Sequence, residues 1–97
     1  MGTIQVEFFS LIQMMTEERY HEVSFEKEPL TLRDLLNIII DVFGPRLKEA
    51  LFDLKSGQLK PMIMVAINGR NSFFLEGMET SLKDGDKVAI GVVAAGG

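Results

Sequence analysis

The chain has 97 residues, of which 46% are hydrophobic and 25% charged, and its formal net charge is -4. This length suits one domain with a single core. The basic residues are scattered from Arg19 to Lys87, so the clustered positive charge of a nucleic-acid-binding protein is missing. The sequence contains no cysteine, which excludes disulfides, thiolate catalysis and cysteine-ligated metals.

No segment of the sequence points to a membrane or to export. The N-terminal residues include Glu7 and no basic run before the apolar positions, unlike a signal peptide. The longest apolar run, LLNIII, is far too short to span a bilayer. We therefore expect a cytoplasmic protein that binds neither membrane nor nucleic acid.

The first two elements are predicted to be strands. Ile4, Val6 and Phe8 alternate with polar residues, which is the period of a strand with one buried face, and Phe9 then falls on the polar side. A second alternating run, HEVSFE, follows the charged segment QMMTEER, which we expect to be a loop. The two runs together predict an antiparallel hairpin.

One main helix is predicted in the middle of the chain. Thr31 and Asp34 have the spacing of a capping box, and Gly44 followed by Pro45 is a stop signal, with the glycine expected in a left-handed cap. The segment PRLKEALF then predicts a second, shorter helix. Apolar residues recur at helical spacing between the two signals: Leu32, Leu35, Leu36, Ile39, Val42 and Phe43.

The second half of the chain is predicted to be mostly strand. The apolar run 61–67 leads into Asn68-Gly69, a strong signal for a type I′ hairpin turn. We expect NSFFL to return as a strand, EGMETSLKDGD to be a turn-rich connection, and KVAIGVV to be the last strand.

These elements predict an α+β fold of the β-grasp (ubiquitin-like) type. A mixed sheet of four to five strands would pack over the main helix, with the last strand beside the first, because this arrangement buries the helix stripe and the apolar strand faces together. We expect residues 1–91 to form this domain and residues 92–97 to be a flexible C-terminal tail.

Three sequence features in this order resemble the ubiquitin-like sulfur carriers of the MoaD/ThiS family: VAINGR, then LEGMETSLKDGDKVAI, then the terminal GG. The likeness covers nearly the whole chain and is greatest to the molybdopterin synthase small subunit. It implies two protein partners, an adenylating enzyme of the MoeB/ThiF type and a molybdopterin synthase large subunit of the MoaE type. It also implies that the terminal glycine becomes a thiocarboxylate.

The tail composition fits that chemistry. A terminal carboxylate is ionised at pH 7 and becomes electrophilic only after activation. The sequence has no Walker-type loop and no obvious metal cluster, so we expect no bound cofactor and no metal, with ATP held by the activating enzyme. We therefore assign Gly97 as the carboxyl donor, Gly96 as the residue that lets a channel close around the chain, and Ala94 and Ala95 as a narrow stem.

A partner-binding patch is predicted on the side of the sheet opposite the helix. Contiguous apolar surface of this kind often marks a binding site. Two alternatives stay open, since the segment FSLIQMM or a second copy of the chain could cover the patch. The predicted patch and its continuation into the tail contain Phe9, Met64, Ala66, Ala89, Gly91, Val93, Ala94 and Ala95.

Other residues that could suggest chemistry have simpler explanations. His21 has no histidine or cysteine partner, and Asp84 and Asp86 flank Gly85 as turn formers with accepting side chains. We therefore identify no independent active site, and leave open whether the chain counts as an enzyme subunit.

Three functions stay open at this point. The first is a sulfur carrier, which we expect to be the small subunit of a molybdopterin synthase, with thiamine synthesis or tRNA thiolation as alternative pathways. The second is a protein modifier joined to lysines through Gly97, and the third is a plain interaction module. The molybdopterin synthase small subunit usually has prolines before its terminal glycines, whereas this chain has Val92, Val93, Ala94 and Ala95 there.

Overall fold

The computed structural model describes residues 1–93, so residues 94–97 lie outside the described part of the chain. The strands are β1 (Gly2–Phe9), β2 (Tyr20–Phe25), β3 (Leu30–Thr31), β4 (Ile63–Ile67), β5 (Arg70–Asn71), β6 (Ser81–Leu82) and β7 (Lys87–Val92). The α-helices are α1 (Ser10–Thr16), α2 (Leu32–Phe43) and α3 (Pro45–Leu51), and 3₁₀ helices occupy Ser72–Phe74 and Gly77–Glu79.

Five of the strands form one mixed sheet in the order β2-β1-β7-β4-β5. The first and last long strands, β1 and β7, are parallel neighbours at its centre, and the other pairs are antiparallel. β3 and β6 form a separate two-stranded ladder. The predicted β-grasp fold, with the last strand beside the first, is therefore confirmed.

The core lies between the sheet and α2. Ile4, Val6 and Phe8 of β1 are fully buried, as the alternating pattern predicts. Each fully buried side chain of this size stabilises the folded state by about 1.5–3 kcal/mol. The facing side chains of α2 are equally buried: Leu32, Leu35, Leu36 and Ile39.

Helix α2 begins with the predicted capping box. Thr31 Oγ1 accepts a hydrogen bond from the Asp34 backbone N–H at 3.2 Å, and Asp34 Oδ2 accepts one from the Thr31 backbone N–H at 3.0 Å. The helix is followed by Gly44, with φ 97° and ψ 177°. The positive φ explains the glycine, but its ψ is extended rather than left-handed because Gly44 is also the N-cap of α3.

The segment between β1 and β2 differs from the prediction. We expected QMMTEER to be a loop, but α1 covers Ser10–Thr16 and only a short turn precedes β2. The helix buries Ile12 and Thr16, which are four residues apart and so share one face. Unlike α3, which has the same length but begins with Pro45, α1 has no side-chain cap at its start and no acidic residue in its first turn, so no local signal marks its beginning.

The predicted strand NSFFL is also wrong in part. β5 ends after two residues because the Asn71 side chain accepts a hydrogen bond from the Phe73 backbone N–H at 2.9 Å, which caps a 3₁₀ helix. Phe73 and Phe74 are consequently exposed, with their rings edge to face at 5.4 Å. In the part of the chain from 1 to 93, no helix is long and apolar enough to cross a membrane.

The capping box should make the stability of the fold sensitive to acid. The Thr31 backbone N–H, the Lys27 ammonium and the Thr31 hydroxyl together lower the pKa of Asp34 to about 2. An unfolded aspartate has a pKa of about 3.9, so the stabilisation is present above about pH 4 and lost as the pH falls toward the folded value. We expect Asp34→Asn to lower the Tm at neutral pH, with a difference from wild type that shrinks in strong acid.

Thermal unfolding followed by circular dichroism across this pH range tests the effect. Asp41→Asn, which changes an exposed carboxylate on the same helix, is the matched control and should move the Tm much less. A difference for Asp34→Asn that stays constant across the acid range would contradict the assignment.

Candidate functional site

The end of β7 is held on both sides at the point where the tail begins. The Ser10 hydroxyl donates a hydrogen bond to the Val92 carbonyl at 2.9 Å and accepts one from the Val92 N–H at 2.8 Å. On the other side, the Val93 N–H donates to the Met62 carbonyl at 2.9 Å. Val92 thus belongs to the strand, one residue beyond the domain boundary that we predicted at 91.

Ser10 and Met62 were not predicted as site residues. The ladder between β1 and β7 ends at the pair Phe9 and Gly91, where β1 turns into α1. Ser10 adopts φ 52° at this junction, and its side chain takes the place of a backbone partner for Val92. Only the register of the two strands reveals this contact, because the residues are 82 positions apart.

The predicted patch residues do lie together on the open face of the sheet. The strand register places Phe9, Gly91 and Met64 in one row across three strands. In the next row Ala89 lies between Glu7 and Ala66. The structure therefore brings five of the six patch residues within 1–93, all except Val93, into these two rows on one surface at the end of the strand that leads into the tail.

Phe9 covers Gly91 within this row. A Cβ atom at Gly91 would lie 2.4 Å from Cδ2 of the Phe9 ring, so a side chain at 91 has no room while the ring stays in place. Gly91 is buried beneath the ring, Ala66 is also buried, and Phe9, Met64 and Ala89 are half-buried. The apolar surface offered to a partner is therefore mainly the outer side of Phe9 with Met64 and Ala89.

Polar residues border the apolar rows. Gln5, Glu7, Tyr20, Asn68 and Lys87 line a shallow depression around the two alanines. Helix α1 does not cover this face, because its buried residue Ile12 belongs to the same core as the side chains of α2. The alternative in which FSLIQMM folds over the patch is thus wrong.

The VAINGR and DGDK segments are structural. The Asn68 side chain donates to Asp86 Oδ1 at 2.9 Å and accepts from the Lys87 N–H at 3.0 Å, tying the β4–β5 turn to the start of β7. Asp84 Oδ1 accepts from the Thr3 N–H at 2.9 Å, which ties the turn between β6 and β7 to β1. These contacts confirm that Asp84 and Asp86 are turn formers.

His21 has packing partners rather than a chemical site. Its Nδ1 lies 3.2 Å from Glu18 Oε1, and its ring meets Phe43 edge to face at 5.2 Å. Within residues 1–93, no group of three or more histidine or acidic side chains could hold a metal ion.

The reactive end of the predicted site lies outside the described residues. Ala94, Ala95, Gly96 and Gly97 are in this part, so their assigned roles stay predictions. Val93, the last described residue, has a side chain that is 37% exposed.

Gly91 should tolerate a side chain only when Phe9 is truncated. We expect Gly91→Ala to lower the free energy of unfolding by about 1–3 kcal/mol, the usual cost of inserting atoms into a packed site. In a Phe9→Ala background the same change should be neutral or stabilising, since alanine costs less backbone entropy than glycine in a strand.

Urea unfolding of the two single variants and the double variant measures this coupling. An equal cost for Gly91→Ala in both backgrounds would show that the ring does not set the requirement for glycine.

Comparisons with known proteins agree with this geometry. Residues 3–97 match the model of the Urm1 (ubiquitin-related modifier) family. A protein of Archaeoglobus fulgidus, which is named as a sulfur carrier protein, is 34% identical over 76 residues, or 78% of this chain and 84% of the relative.

Solved structures give the same result. The small archaeal modifier protein 1 of Methanosarcina acetivorans superposes with a TM-score of 0.80 and 31% identity, over 100% of this chain and 98% of the other. A Pyrococcus furiosus protein, named as molybdopterin converting factor subunit 1, superposes with a TM-score of 0.75 over 97% and 100% of the two chains. Its 22% identity shows a shared fold only.

The predicted resemblance to ubiquitin-like sulfur carriers is therefore confirmed, whereas a greater likeness to the molybdopterin synthase small subunit stays a prediction. The family model spans the β-grasp domain and the tail together. The chain belongs to the Urm1 family of ubiquitin-related modifiers.

Proposed function

We propose that this chain carries sulfur on its own C-terminal carboxyl group. A separate activating enzyme of the MoeB/ThiF type would adenylate Gly97, and sulfur transfer would then convert it to a thiocarboxylate. The proposal rests on the hydrogen bonds that fix the end of β7. Val92 and Val93 are fixed beside an apolar open face, and the small residues AAGG follow directly.

The tail has suitable dimensions for an enzyme channel. Four residues follow Val93, and at about 3.3–3.6 Å each they reach at most about 14 Å beyond Val93. Alanine and glycine side chains keep this segment thin, and its backbone groups can pair with a partner in the manner of an added strand. Because Val93 is held by the Met62 carbonyl, this distance is measured from a fixed point on the domain.

The proposed chemistry needs two displacements. A carboxylate oxygen of Gly97 attacks the α-phosphorus of ATP, and pyrophosphate leaves with the electron pair of the broken P–O bond. A sulfide-equivalent nucleophile then attacks the carbonyl carbon, and AMP leaves, so that one C–O bond is replaced by a C–S bond. Adenylation is required because the ionised carboxylate is a poor electrophile and its oxygen is a poor leaving group.

The activating enzyme is proposed to supply the ATP site. The sequence has no glycine-rich phosphate loop of the Walker type, and the proposed role asks only that this chain present its end. In this arrangement the β-grasp domain provides the docking surface and the direction of the tail, while the partner provides the phosphate chemistry.

The more specific proposal concerns the molecule that receives the sulfur. Delivery to a pterin by a molybdopterin synthase of the MoaE type is favoured by the resemblance in the motifs VAINGR and KDGDKVAI. Conjugation is the second candidate function, and the 31% identity to a small archaeal modifier protein along almost the whole chain favours it. In conjugation a lysine amine attacks the carbonyl carbon of adenylated Gly97, AMP leaves with the electron pair of the broken C–O bond, and the nitrogen loses a proton as the isopeptide bond forms.

Mass spectrometry of the chain purified from its own cells tests these candidates. A C-terminal peptide in which sulfur replaces one oxygen supports the carrier, and a Gly-Gly remnant on lysines of other proteins supports conjugation. If neither form occurs in sulfur-replete cells that contain the activating enzyme, the chain is a plain interaction module and the proposal is wrong.

Removal of Gly97 should separate activity from folding. We expect the shortened chain to lose adenylation completely while its Tm stays within about a degree of wild type, because glycine has no side chain to bury and burial sets stability. Extension by one alanine after Gly97 should have the same effect. A large fall in Tm would instead assign these glycines a structural role.

The open face is proposed as the docking surface for the activating enzyme. Ala89 lies at its centre, half-buried between Glu7 and Ala66. We expect Ala89→Arg to weaken binding by at least about tenfold, since a desolvated cation at the centre of an apolar contact is costly.

Calorimetric titration with the purified activating enzyme measures this change. Gln58→Arg is the matched control, because it adds the same side chain at an exposed position in the loop before β4, and binding should be unchanged. Equal affinity for wild type and Ala89→Arg, with both folded, would exclude the open face as the docking surface.

A further inference from the structure

We infer that Ser10 is a positioning residue that determines where the tail leaves the sheet. The contact lies within the chain and requires no partner protein. Its use in presenting the tail to an enzyme rests on the proposed function. No other side chain described in residues 1–93 hydrogen bonds to the last strand residue, Val92.

One hydroxyl satisfies both main-chain groups of Val92. Ser10 Oγ accepts from the N–H at 2.8 Å and donates to the carbonyl at 2.9 Å, both within the usual range for strong hydrogen bonds. The backbone of β1 no longer runs beside β7 at this point, because α1 has begun. The side chain therefore extends the pairing of β7 by one residue beyond the Phe9–Gly91 pair.

The local backbone does not explain a serine at this position. Ser10 has φ 52°, in the left-handed region where glycine is the least strained residue. Serine is more strained than glycine at this φ, but it supplies a hydroxyl that glycine lacks. The contact with Val92 is the described use of that hydroxyl.

The opposite contact of the tail does not depend on a side chain. The Val93 N–H donates to the main-chain carbonyl of Met62, which every amino acid would provide. The Ser10 contact is thus the part of the arrangement that a single substitution can remove.

Loss of the hydroxyl leaves Val92 and Val93 held on the β4 side alone, so the free tail should extend back toward Gly91 in a larger share of the molecules. A longer free segment samples more conformations, and an enzyme that binds the tail must then order more of the chain. The expected result is weaker binding of an otherwise competent substrate, with the chemical step unchanged.

Amide hydrogen exchange measured by NMR tests the contact without any partner. We expect Ser10→Ala and Ser10→Gly each to speed exchange of the Val92 amide by at least about tenfold, while the Ile90 amide inside the ladder is unaffected. The two variants differ in strain, since glycine suits the positive φ and alanine does not. Unchanged exchange at Val92 in either variant would overturn the inference, and faster exchange in Ser10→Ala alone would assign the effect to strain.

Steady-state adenylation by the purified activating enzyme tests the consequence. For both variants we expect KM for the chain to rise about three- to tenfold, with kcat near the wild-type value. Ser81→Ala, an exposed serine on the separate β3–β6 ladder, is the matched control and should leave both constants unchanged. A fall in kcat with unchanged KM would overturn the positioning role. Failure of wild type to be adenylated would reject the proposed function, and the exchange data would still decide whether Ser10 holds Val92.

Discussion

The parallel pairing of β1 with β7 is the constraint on which the rest of the structure depends. The two strands lie at the centre of the sheet, and their inward side chains form much of the core against α2. Because β7 is held between β1 and β4, the direction in which its last residues point is set by the same contacts that stabilise the domain. Stability and presentation of the tail therefore share one physical origin.

The two faces of this sheet differ in burial, and the proposed recognition is assigned to the more exposed face. The helix-facing residues of β1 are fully buried, whereas the opposite face retains half-buried apolar side chains with a polar border. The hydrogen bonds of Asn68, Asp84 and Asp86 are at the far end of β7 from the tail, and they join the turns to the strands. The two internal motifs that carry the family resemblance thus maintain the scaffold, and the proposed chemistry is left to the third, the terminal GG.

The strand pattern and the capping box could be predicted from sequence because each is a local rule. Alternation in β1 and β7, the Thr31–Asp34 spacing and the Asn68-Gly69 turn need only neighbouring residues to be recognised. α1 was missed because it has no side-chain cap at its start, and the 3₁₀ helix at Ser72–Phe74 was missed because three residues are too few to show a period. The open-face patch could be predicted from the order of the strands, but the contact between Ser10 and Val92 could be found only from the register of β1 and β7. No local pattern indicates which residue faces Val92 across the whole length of the chain.

The ring of Phe9 over Gly91 gives the base of the tail a built-in spectroscopic marker. Aromatic rings shift the resonances of protons held above their faces, so the Gly91 α-protons should resonate far from ordinary glycine positions while the ring covers them. A protein that binds the tail and contacts the open face would contact this ring or change its rotamer. The chemical shift of a single glycine then reports engagement of the terminus, with no label attached to the reactive end.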